Sequence, residues 1–295
     1  MGDVRAVSML LGILVLLVCV TGAGAKGDPP PTLAFAGEGN AGSLDLLLLR
    51  SGATRPRLVA GSPLDEFSPS WAPDGERLAY RVNPRRSDVG DIWVVRSDGR
   101  GRRNLTRTPR IAEWSPAWSP GGQLIAYFSS LGDDVWVMRP HGTGRRNVTR
   151  SPGLDEYPSW SPDGRRLVFG SHRDGQFEVY VTMLDGSGQR NLTRNAAADK
   201  WPAWSPDGKL VAFASDRDGS EDVFVMRPDG SVVRNLTSTP ELEESHPTWL
   251  PDGRLSYSRH GETGPIELWA MGPDGRDPER LGTPAEPVFV YAWQP

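Results

Sequence analysis

The stretch that decides the fold is PSWSPDGRRLVF, residues 158–169. Four other stretches repeat its pattern, and a partial copy, YAWQP, ends the chain. The tryptophans of these copies are separated by 47, 42, 44, 45 and 44 residues, and they are Trp71, Trp118, Trp160, Trp204, Trp249 and Trp293. Self-similarity at a nearly constant spacing is the signature of a repeat architecture, so one structural unit is expected six times.

Each repeat has the composition of several short β-strands. The apolar segments are four to six residues long, rich in Val, Ile, Leu and aromatic residues, and bounded by Pro, Gly, Asp or Ser. Ser-Pro-Asp-Gly, as at residues 161–164, is typical of a tight turn because Pro presets φ and Gly accepts a positive φ. The sequence predicts an all-β fold, a six-bladed β-propeller of four-stranded antiparallel blades.

One of the six blades is divided between the two ends of the chain. After Trp293 only two residues remain, whereas PTLAF at residues 31–35 matches a second strand. Asp45 with the four leucines after it matches a third strand, and RPRLVA at residues 55–60 matches a fourth. We therefore expect the C-terminal strand to pair with the N-terminal strands, which closes the ring and removes open sheet edges.

The N-terminus has the features of a secretory signal peptide at residues 1–25. Arg5 precedes a nearly unbroken apolar run at residues 6–20, and a small-residue cleavage site ends at Ala25. The run is short for a membrane span. We expect cleavage near Ala25, which would also remove Cys19, the one cysteine of the chain.

Two alternatives remain for this segment, and the domain layout follows from its removal. An uncleaved anchor is one, because Asp3 weakens the basic start, and it would be the only contact with a membrane. Lipidation of Cys19 is the other, but Val18 stands where a small residue is needed. The predicted layout is a signal peptide, a lead-in at 26–31 and a propeller at 32–295, in a secreted or periplasmic protein.

Composition excludes several classes of protein. Lys and Arg number 33 against 37 Asp and Glu, and the net charge of -4 provides no basic field for nucleic acid. Gly and Pro together make up 61 of 295 residues, which favours frequent turns over long helices. A single cysteine excludes a disulfide framework.

The repeated P-x-W-S-P-D-G, with its aliphatic-aromatic strand and closing R-N-L-T, resembles the TolB-like propeller repeat, a WD-like six-bladed type. The resemblance covers residues 31–295. It implies a six-bladed propeller. TolB also has an α/β domain before its propeller, for which the residues preceding this propeller are too few. We therefore expect a stand-alone propeller, and a role in the Tol-Pal envelope system is an analogy of fold.

The sequence contains no motif of a known catalytic centre. It lacks G-x-S-x-G, which an α/β-hydrolase domain would contain, and it lacks Walker and dinucleotide-binding motifs. No H-E-x-x-H or H-x-H cluster joins the four histidines, which are His141, His172, His246 and His260. We interpret them as separate solvated residues in loops of different blades, with a metal site at the ring axis as the alternative. No cofactor and no metal are expected.

Two features recur in nearly every repeat and are therefore assigned to the fold. Asn-x-Thr occurs at one blade position, which favours a place in the outermost strand over glycosylation, at Asn104, Asn147, Asn191 and Asn235. An acid precedes the aromatic residue of each third strand, at Asp45, Asp91, Asp134, Glu178, Asp222 and Glu267. We expect these acids to accept hydrogen bonds from backbone or arginine donors.

Function is expected where the repeats differ. The Ser-Pro-Asp-Gly and Asp-Gly turns hardly vary, and antiparallel strands place them on one face of the disc. The other face carries unequal loops and the segments DEFSPSW, AEWSPAW, DEYPSW, DKWPAW and ESHPTW. We predict a partner-binding channel mouth with Glu66, Glu113, Glu156, Lys200 and Ser245 at matching positions, and with Phe67, Trp114, Tyr157, Trp201 and His246 beside them. Packing of the aromatics between blades, with solvated acids, is the alternative.

We interpret the chain as a non-catalytic extracytoplasmic binding or scaffold protein for a protein or peptide partner, with an envelope lipoprotein or a polysaccharide also considered. Three glutamates at one opening would repel each other, which a cationic partner would relieve. Arginines of the same face either pair with these acids or stay exposed: Arg85, Arg86, Arg173, Arg217 and Arg259. This mixed charge does not predict nucleic-acid binding.

The alternatives to a protein-binding function are a lactonase-like or polysaccharide-lyase-like propeller enzyme and a carbohydrate-binding propeller.

Overall fold

A computed structural model describes residues 32–39, 42–50, 53, 55–84, 87–282 and 291–294. In this part of the chain the strands form six four-stranded antiparallel sheets. The predicted all-β, six-bladed propeller is confirmed. The signal peptide and lead-in predicted before Thr32 lie outside the described residues.

The strands follow the chain order, and each blade runs outward from a central channel. Blade 1 contains β1 (Thr32–Glu38), β2 (Leu44–Arg50) and β3 (Arg57–Ala60), with β24 (Tyr291–Trp293) as its innermost strand. Blades 2 and 3 contain β4 (Asp65–Trp71), β5 (Arg77–Asn83), β6 (Asp91–Arg96) and β7 (Arg103–Asn104), then β8 (Glu113–Trp118), β9 (Ile125–Ser129), β10 (Asp134–Met138) and β11 (Arg146–Asn147).

Blades 4 to 6 repeat this order from the innermost strand outward. Blade 4 contains β12 (Asp155–Trp160), β13 (Arg166–Ser171), β14 (Glu178–Met183) and β15 (Arg190–Asn191). Blades 5 and 6 contain β16 (Asp199–Trp204), β17 (Val211–Ser215), β18 (Asp222–Met226) and β19 (Arg234–Asn235), then β20 (Glu243–Trp249), β21 (Leu255–His260), β22 (Glu267–Met271) and β23 (Glu279–Gly282).

The connections between strands lie on opposite faces of the disc. Turns from first to second and from third to fourth strands form the turn face, and the remaining connections form the loop face. In blade 4 the turn is closed by a hydrogen bond from Gly164 N to Ser161 O (2.8 Å), and Gly164 has a φ of 68°. Asp163 accepts hydrogen bonds from Ser161 Oγ and Arg165 N. Glycine is required there because other residues rarely adopt a positive φ.

The core of each blade is organised around one aromatic residue of its second strand. In blades 2 to 6 this residue is at most 1% exposed: Tyr80, Tyr127, Phe169, Phe213 and Tyr257. Burying a ring of this size contributes about 1.5 to 3 kcal/mol, so these residues are a main source of stability. The repeated tryptophans join neighbouring blades, and Trp160 Nε1 donates to Ala117 O of blade 3 at 2.9 Å.

The acid that begins each third strand organises the connection to the next blade. Asp134 Oδ2 accepts a hydrogen bond from Asn147 Nδ2 (2.6 Å), and its Oδ1 accepts from Thr149 Oγ1 (2.8 Å) and Ser151 N (3.0 Å). Asn147 lies in the two-residue outermost strand β11. The expected backbone donor is present in blade 3, but the other donors are asparagine and threonine and not arginine; in blade 6, Arg280 lies 2.9 Å from Glu267. The Asn-x-Thr sites lie in the outermost strands, as the structural interpretation predicted.

Arginines of the fourth strands connect adjacent blades at the turn face. In each case the guanidinium donates to a backbone carbonyl in the third-to-fourth turn of the next blade. These hydrogen bonds run from Arg57 to Ser97 O, Arg103 to Pro140 O, Arg146 to Leu184 O, Arg190 to Asp229 O and Arg234 to Pro273 O.

The predicted closure of the ring between the two chain ends is confirmed. Strand β24 pairs antiparallel with β1, and Trp293 faces Leu33. The Trp293 side chain is 7% exposed, and its Nε1 donates to Ser256 Oγ of blade 6 at 2.9 Å. On the other side, Gln294 Nε2 donates to Gly75 O of blade 2 at 2.8 Å. The C-terminal strand therefore contacts three blades.

Deletion of residues 291–295 should lower the free energy of unfolding by several kcal/mol. The deletion removes the innermost strand of blade 1 and a buried tryptophan, and the loss of such a side chain alone costs about 3 to 5 kcal/mol. Trp293→Phe keeps a ring in the core and should cost less. Chemical denaturation of the three proteins measures this difference, and an unchanged midpoint after the deletion would contradict the closure.

Candidate functional site

The six innermost strands surround an axial channel of about 420 Å³. At its loop-face end, here called the rim, the lining includes Tyr157, Trp201 and His246, from blades 4, 5 and 6. Blades 2 and 3 contribute Ser68 and Ser115 at the same level. The rim is therefore aromatic on one side and small and polar on the other.

Pro-x-Trp at the end of each innermost strand gives the correct alignment of the rim segments. Counted back from this tryptophan, Glu113 lies five residues before it, whereas Glu156 lies four residues before it. Strand pairing agrees, since Glu113 faces Ser129 just as Asp155 faces Ser171. An additional serine before the proline in blades 2 and 3 causes the shift. The predicted matching positions are wrong for two residues, Glu66 and Glu113.

Those two glutamates belong to a set of five buried carboxylates inside the blades, not to the rim. Glu66 is fully buried and Glu113 is 2% exposed. Four members of the set form ion pairs, which join Glu66 to Arg102, Asp155 to Arg173, Asp199 to Arg217 and Glu244 to Arg259, at 2.5, 3.0, 2.8 and 2.8 Å. The argument that three rim glutamates attract a cation therefore no longer applies.

The arginines of these pairs also cover aromatic rings of their own blades. Arg217 lies 4.7 Å above the Phe224 ring, and Arg102 lies 5.0 Å above the Trp93 ring. Such contacts add a cation–π attraction to the ion pair. Arg173, Arg217 and Arg259 thus belong to the blade interior, while the other two arginines expected on this face, Arg85 and Arg86, lie outside the described residues.

Glu113 has no arginine partner among the described residues. The Thr108 hydroxyl lies 2.7 and 2.6 Å from its two carboxylate oxygens. Burial raises the pKa of Glu113 to about 7, although hydrogen bonds from threonine lower it. Blade 3 therefore contains a carboxyl group that titrates near neutral pH.

The rim aromatics contact each other across three blades. The Trp201 and His246 rings stack with centroids 3.9 Å apart, and Tyr157 meets Trp201 edge to face at 6.1 Å. Trp201 Nε1 is buried and forms no hydrogen bond within the described residues, although the Tyr157 hydroxyl is close enough to interact with it electrostatically. Burial lowers the pKa of His246 to about 4, which leaves its ring neutral at pH 7.

The backbone at this level is strained in five blades. The residue before the proline has a φ between 50° and 55° in each, at Ser68, Ser115, Tyr157, Trp201 and His246. Strand pairing shows a register shift at the same place. A non-glycine residue at positive φ is uncommon and costs about 1 to 3 kcal/mol, so this bulge is a constraint imposed by the fold.

One residue earlier in each strand, the side chains differ strongly between blades. Trp114 stacks on Phe128 with centroids 3.9 Å apart, and its Nε1 donates to Glu156 Oε2 at 3.3 Å. Arg81 lies over the rings of Phe67 and Trp114, at 4.8 and 5.3 Å. Burial raises the pKa of Glu156 to about 7. Next to the small, polar side of the rim, blades 2 and 3 therefore combine aromatic surface with a guanidinium group.

Charged groups of the opposite half are paired. Lys200 Nζ lies 3.3 Å from Glu221 Oε2 and 5.3 Å from the Trp201 ring centroid. Arg81, in contrast, forms no ion pair within the described residues, and its Nη2 donates to Asp88 O at 2.7 Å. Arg81 was missed by the sequence analysis, although its position in strand β5 corresponds to Phe128, Gly170, Ala214 and Ser258 in the other blades.

The structure thus divides the predicted site residues into three groups. Tyr157, Trp201 and His246 line the channel. Phe67, Trp114, Glu156 and Lys200 lie one residue earlier in their strands, so the predicted match of Phe67 and Trp114 with Tyr157 is also wrong. Ser245 shares that earlier position, and its hydroxyl contacts His246 Nδ1 at 3.0 Å. Glu66 and Glu113 are buried inside the blades. Whether any of them binds a partner stays a prediction.

The histidines are not distributed as expected. His246 and His260 both belong to blade 6, in strands β20 and β21, and neither is a fully exposed loop residue. Within the described ranges, no group of three or more His, Cys, Asp or Glu is arranged to hold a metal ion. None of the described segments is a helix with the length and apolar character needed to cross a membrane.

The stability of the protein should fall between about pH 5 and pH 8 because of Glu113. Its pKa in the folded state lies above the ordinary value of 4.5, so the folded protein binds more protons than the unfolded chain in this interval. The free energy of unfolding then decreases as the pH rises. Over this range the free energy of unfolding of the wild type should fall by about 1 to 3 kcal/mol more than that of Glu113→Gln, because the glutamine side chain does not titrate.

Urea denaturation at the two pH values measures this difference. Glu76→Gln is the matched control, since the Glu76 side chain is 63% exposed and its replacement should leave the pH dependence unchanged. Identical pH dependence in the wild type and Glu113→Gln would contradict the assignment.

Several solved structures are similar to this chain. TolB from Acinetobacter baumannii is 24% identical, with a TM-score of 0.77, over 91% of this chain and 68% of that chain. A putative TolB from Agrobacterium tumefaciens is 20% identical, with a TM-score of 0.69, over 88% and 93%. A chain of a nidogen/laminin complex is 13% identical, with a TM-score of 0.69, over 90% and 98%. At these identities the likeness concerns the fold alone.

Sequence comparison identifies the family. Among curated proteins, no sequence matches this chain. The family profile of the TolB beta propeller domain matches residues 110–286, which is 177 of 295 residues. This match shows that the chain belongs to the TolB beta-propeller family, and the six blades and the repeated Pro-x-Trp strands agree with it.

Proposed function

We propose that this chain is a non-catalytic, extracytoplasmic binding protein that holds a segment of a protein partner at the channel rim. The observation that carries the proposal is the asymmetry of the rim: Tyr157, Trp201 and His246 stand on one side, and Ser68 and Ser115 on the other. The features required by every blade are accounted for by the fold. Residues that break the repeat at the channel opening are free to serve binding.

The aromatic half of the rim has the properties of an anchor site. Its rings are rigid and already stacked, so binding would order few additional side chains. Trp201 offers a buried indole N–H that forms no hydrogen bond of ordinary geometry within the described residues and has the Tyr157 hydroxyl nearby. Aromatic residues of this kind dominate binding energies at protein interfaces.

The charges of the rim favour a partner segment with an acidic group next to an apolar one. Arg81 lies beside the rim and forms no ion pair in the described part of the chain, although the charge of Asp88 acts on it, and Trp114 and Phe67 flank it. Lys200 is already paired with Glu221. A carboxylate that reaches Arg81 would form a charge-assisted hydrogen bond, while the apolar group contacts the rings. A structurally similar chain occurs in a nidogen/laminin complex, and this association supports a protein partner by analogy.

Trp201→Ala should weaken binding of the partner by about 2 kcal/mol or more, which is roughly thirtyfold in Kd. The partner is first captured from envelope extract with the mature protein, and its Kd is then measured for each variant. Lys209→Ala and Arg276→Ala are controls on the turn face, where these side chains are 79% and 82% exposed. Melting curves establish that every variant is folded.

If Trp201→Ala binds the partner fully and either control variant loses binding, the binding site lies on the turn face and the proposal is wrong. Binding that oligosaccharides displace, and that no protein displaces, would instead identify a carbohydrate-binding propeller.

The extracytoplasmic location rests on the sequence of residues 1–25. In a secreting bacterial host the mature protein should begin near Lys26 and contain no thiol, because the one cysteine, Cys19, precedes the cleavage site. Intact-protein mass spectrometry of the exported form measures both properties. A chain that retains Cys19 would show that the segment is an anchor.

A further inference from the structure

A second cavity lies on the turn face, at the seam between blades 1 and 2. Its volume is about 310 Å³. Three arginines line it, and they are Arg50 at the end of β2, Arg55 two residues before β3 and Arg57 at the start of β3. Thr32, Ser97 and Gln294 add polar groups, and Trp71 and Leu48 add an apolar wall.

The positive charge of this cavity is not balanced by its surroundings. No carboxylate belongs to its lining within the described residues. Arg50 and Arg55 form no hydrogen bond or ion pair through their side chains in that part of the chain. Arg57 Nη2 donates one hydrogen bond, to Ser97 O at 2.5 Å. Asp98, the nearest acid in sequence to Ser97, is 3.7 Å from the Arg96 guanidinium.

Comparison with the other blades separates structural from unexplained arginines. Arg57 belongs to the repeated set that donates to the next blade, so its presence is explained by the fold. Arg50 corresponds to Arg96 of blade 2, which pairs with Glu76 at 3.3 Å. Arg50 itself has no such acid in the described residues, and Arg55 belongs to no repeated contact. Three arginines that line one cavity without a carboxylate among the described lining residues would attract an anion.

We propose that this cavity binds a phosphate or diphosphate group. Guanidinium groups hold phosphate oxygens through paired N–H donors, and an arginine fork fits this geometry better than a lysine does. The hydroxyls of Thr32 and Ser97 are further donors at the same cavity. The wall formed by Trp71 and Leu48 provides a surface for the part of the ligand that carries the phosphate.

The site is independent of the rim. Its lining residues come from the turn-face ends of their strands, at the opposite end of the disc from Tyr157 and Trp201. A phosphorylated ligand and a protein segment could therefore be bound together. The phosphate group can belong to a soluble molecule or to the head group of an anionic lipid, and one set of measurements distinguishes these sources.

Isothermal titration calorimetry with inorganic pyrophosphate tests the proposal on the full mature chain. The double variant Arg50→Gln/Arg55→Gln should bind at least about tenfold more weakly than the wild type. The control is Arg139→Gln/Arg227→Gln, which removes two exposed arginines from the same third-strand position in blades 3 and 5 and should bind within about twofold of the wild type. Thermal melting verifies that both variants fold.

Co-sedimentation with vesicles identifies the source of the phosphate. If the ligand is a lipid head group, the wild type should co-sediment with vesicles of phosphatidylcholine that contain phosphatidic acid. Added pyrophosphate should then compete with this binding. Pyrophosphate binding without retention would identify a soluble phosphorylated ligand. Absence of pyrophosphate binding by the wild type, or equal weakening in the two double variants, would overturn the proposal.

Discussion

The propeller depends on a carboxylate at the start of each third strand, which is buried in four of the six blades. In blade 3, Asp134 accepts hydrogen bonds from Asn147 of the outermost strand and from Thr149 and Ser151 N of the connection that follows. In blade 5, Asp222 contacts Asn235 and Thr237 in the same way, at 2.8 and 3.1 Å. An unsatisfied buried carboxylate would be costly, so the path from one blade to the next is fixed by these donors.

A fixed path between blades determines the geometry at the channel. The Pro-x-Trp segments of the innermost strands pack against the preceding blade, as Trp160 and Trp249 show by donating to Ala117 O and Ala203 O. The residue before the proline is forced to a positive φ, as in Trp201 at 50°. Because the backbone conformation is set by the fold, the side chain at this position is available for another purpose. It varies from serine in blades 2 and 3 to an aromatic residue in blades 4 to 6.

Much of the fold could be predicted from the sequence, and the rim only in part. Repeated tryptophans and turn residues define the blades, and the strand containing Trp293 could be assigned to the N-terminal blade by counting. Glu113 was placed at the rim because its neighbour Trp114 resembles Tyr157, whereas counting back from the proline would have placed it inside the blade. The bulge that decides between these alignments is a backbone property, and no single residue type encodes it.

Other features depend on contacts that are distant in the chain. Arg102 of blade 2 occupies the place that Arg217 occupies in blade 5, although Arg102 directly precedes β7 and Arg217 follows β17. The arginine cavity of the turn face forms because ring closure brings Gln294 beside Thr32. Sequence periodicity describes one blade at a time, so it does not reveal what two blades form at their seam.

The central claim is that the repeat builds the disc while the rim residues that depart from it bind the partner. Indole N–H signals in a ¹H–¹⁵N correlation spectrum report on all eleven tryptophans at once. After assignment with Trp201→Phe, the account predicts that the partner shifts the signals of Trp201 and Trp114, while those of Trp136 and Trp269 on the outer strands stay in place. Shifts confined to the outer-strand tryptophans, with Trp201 unchanged, would contradict it.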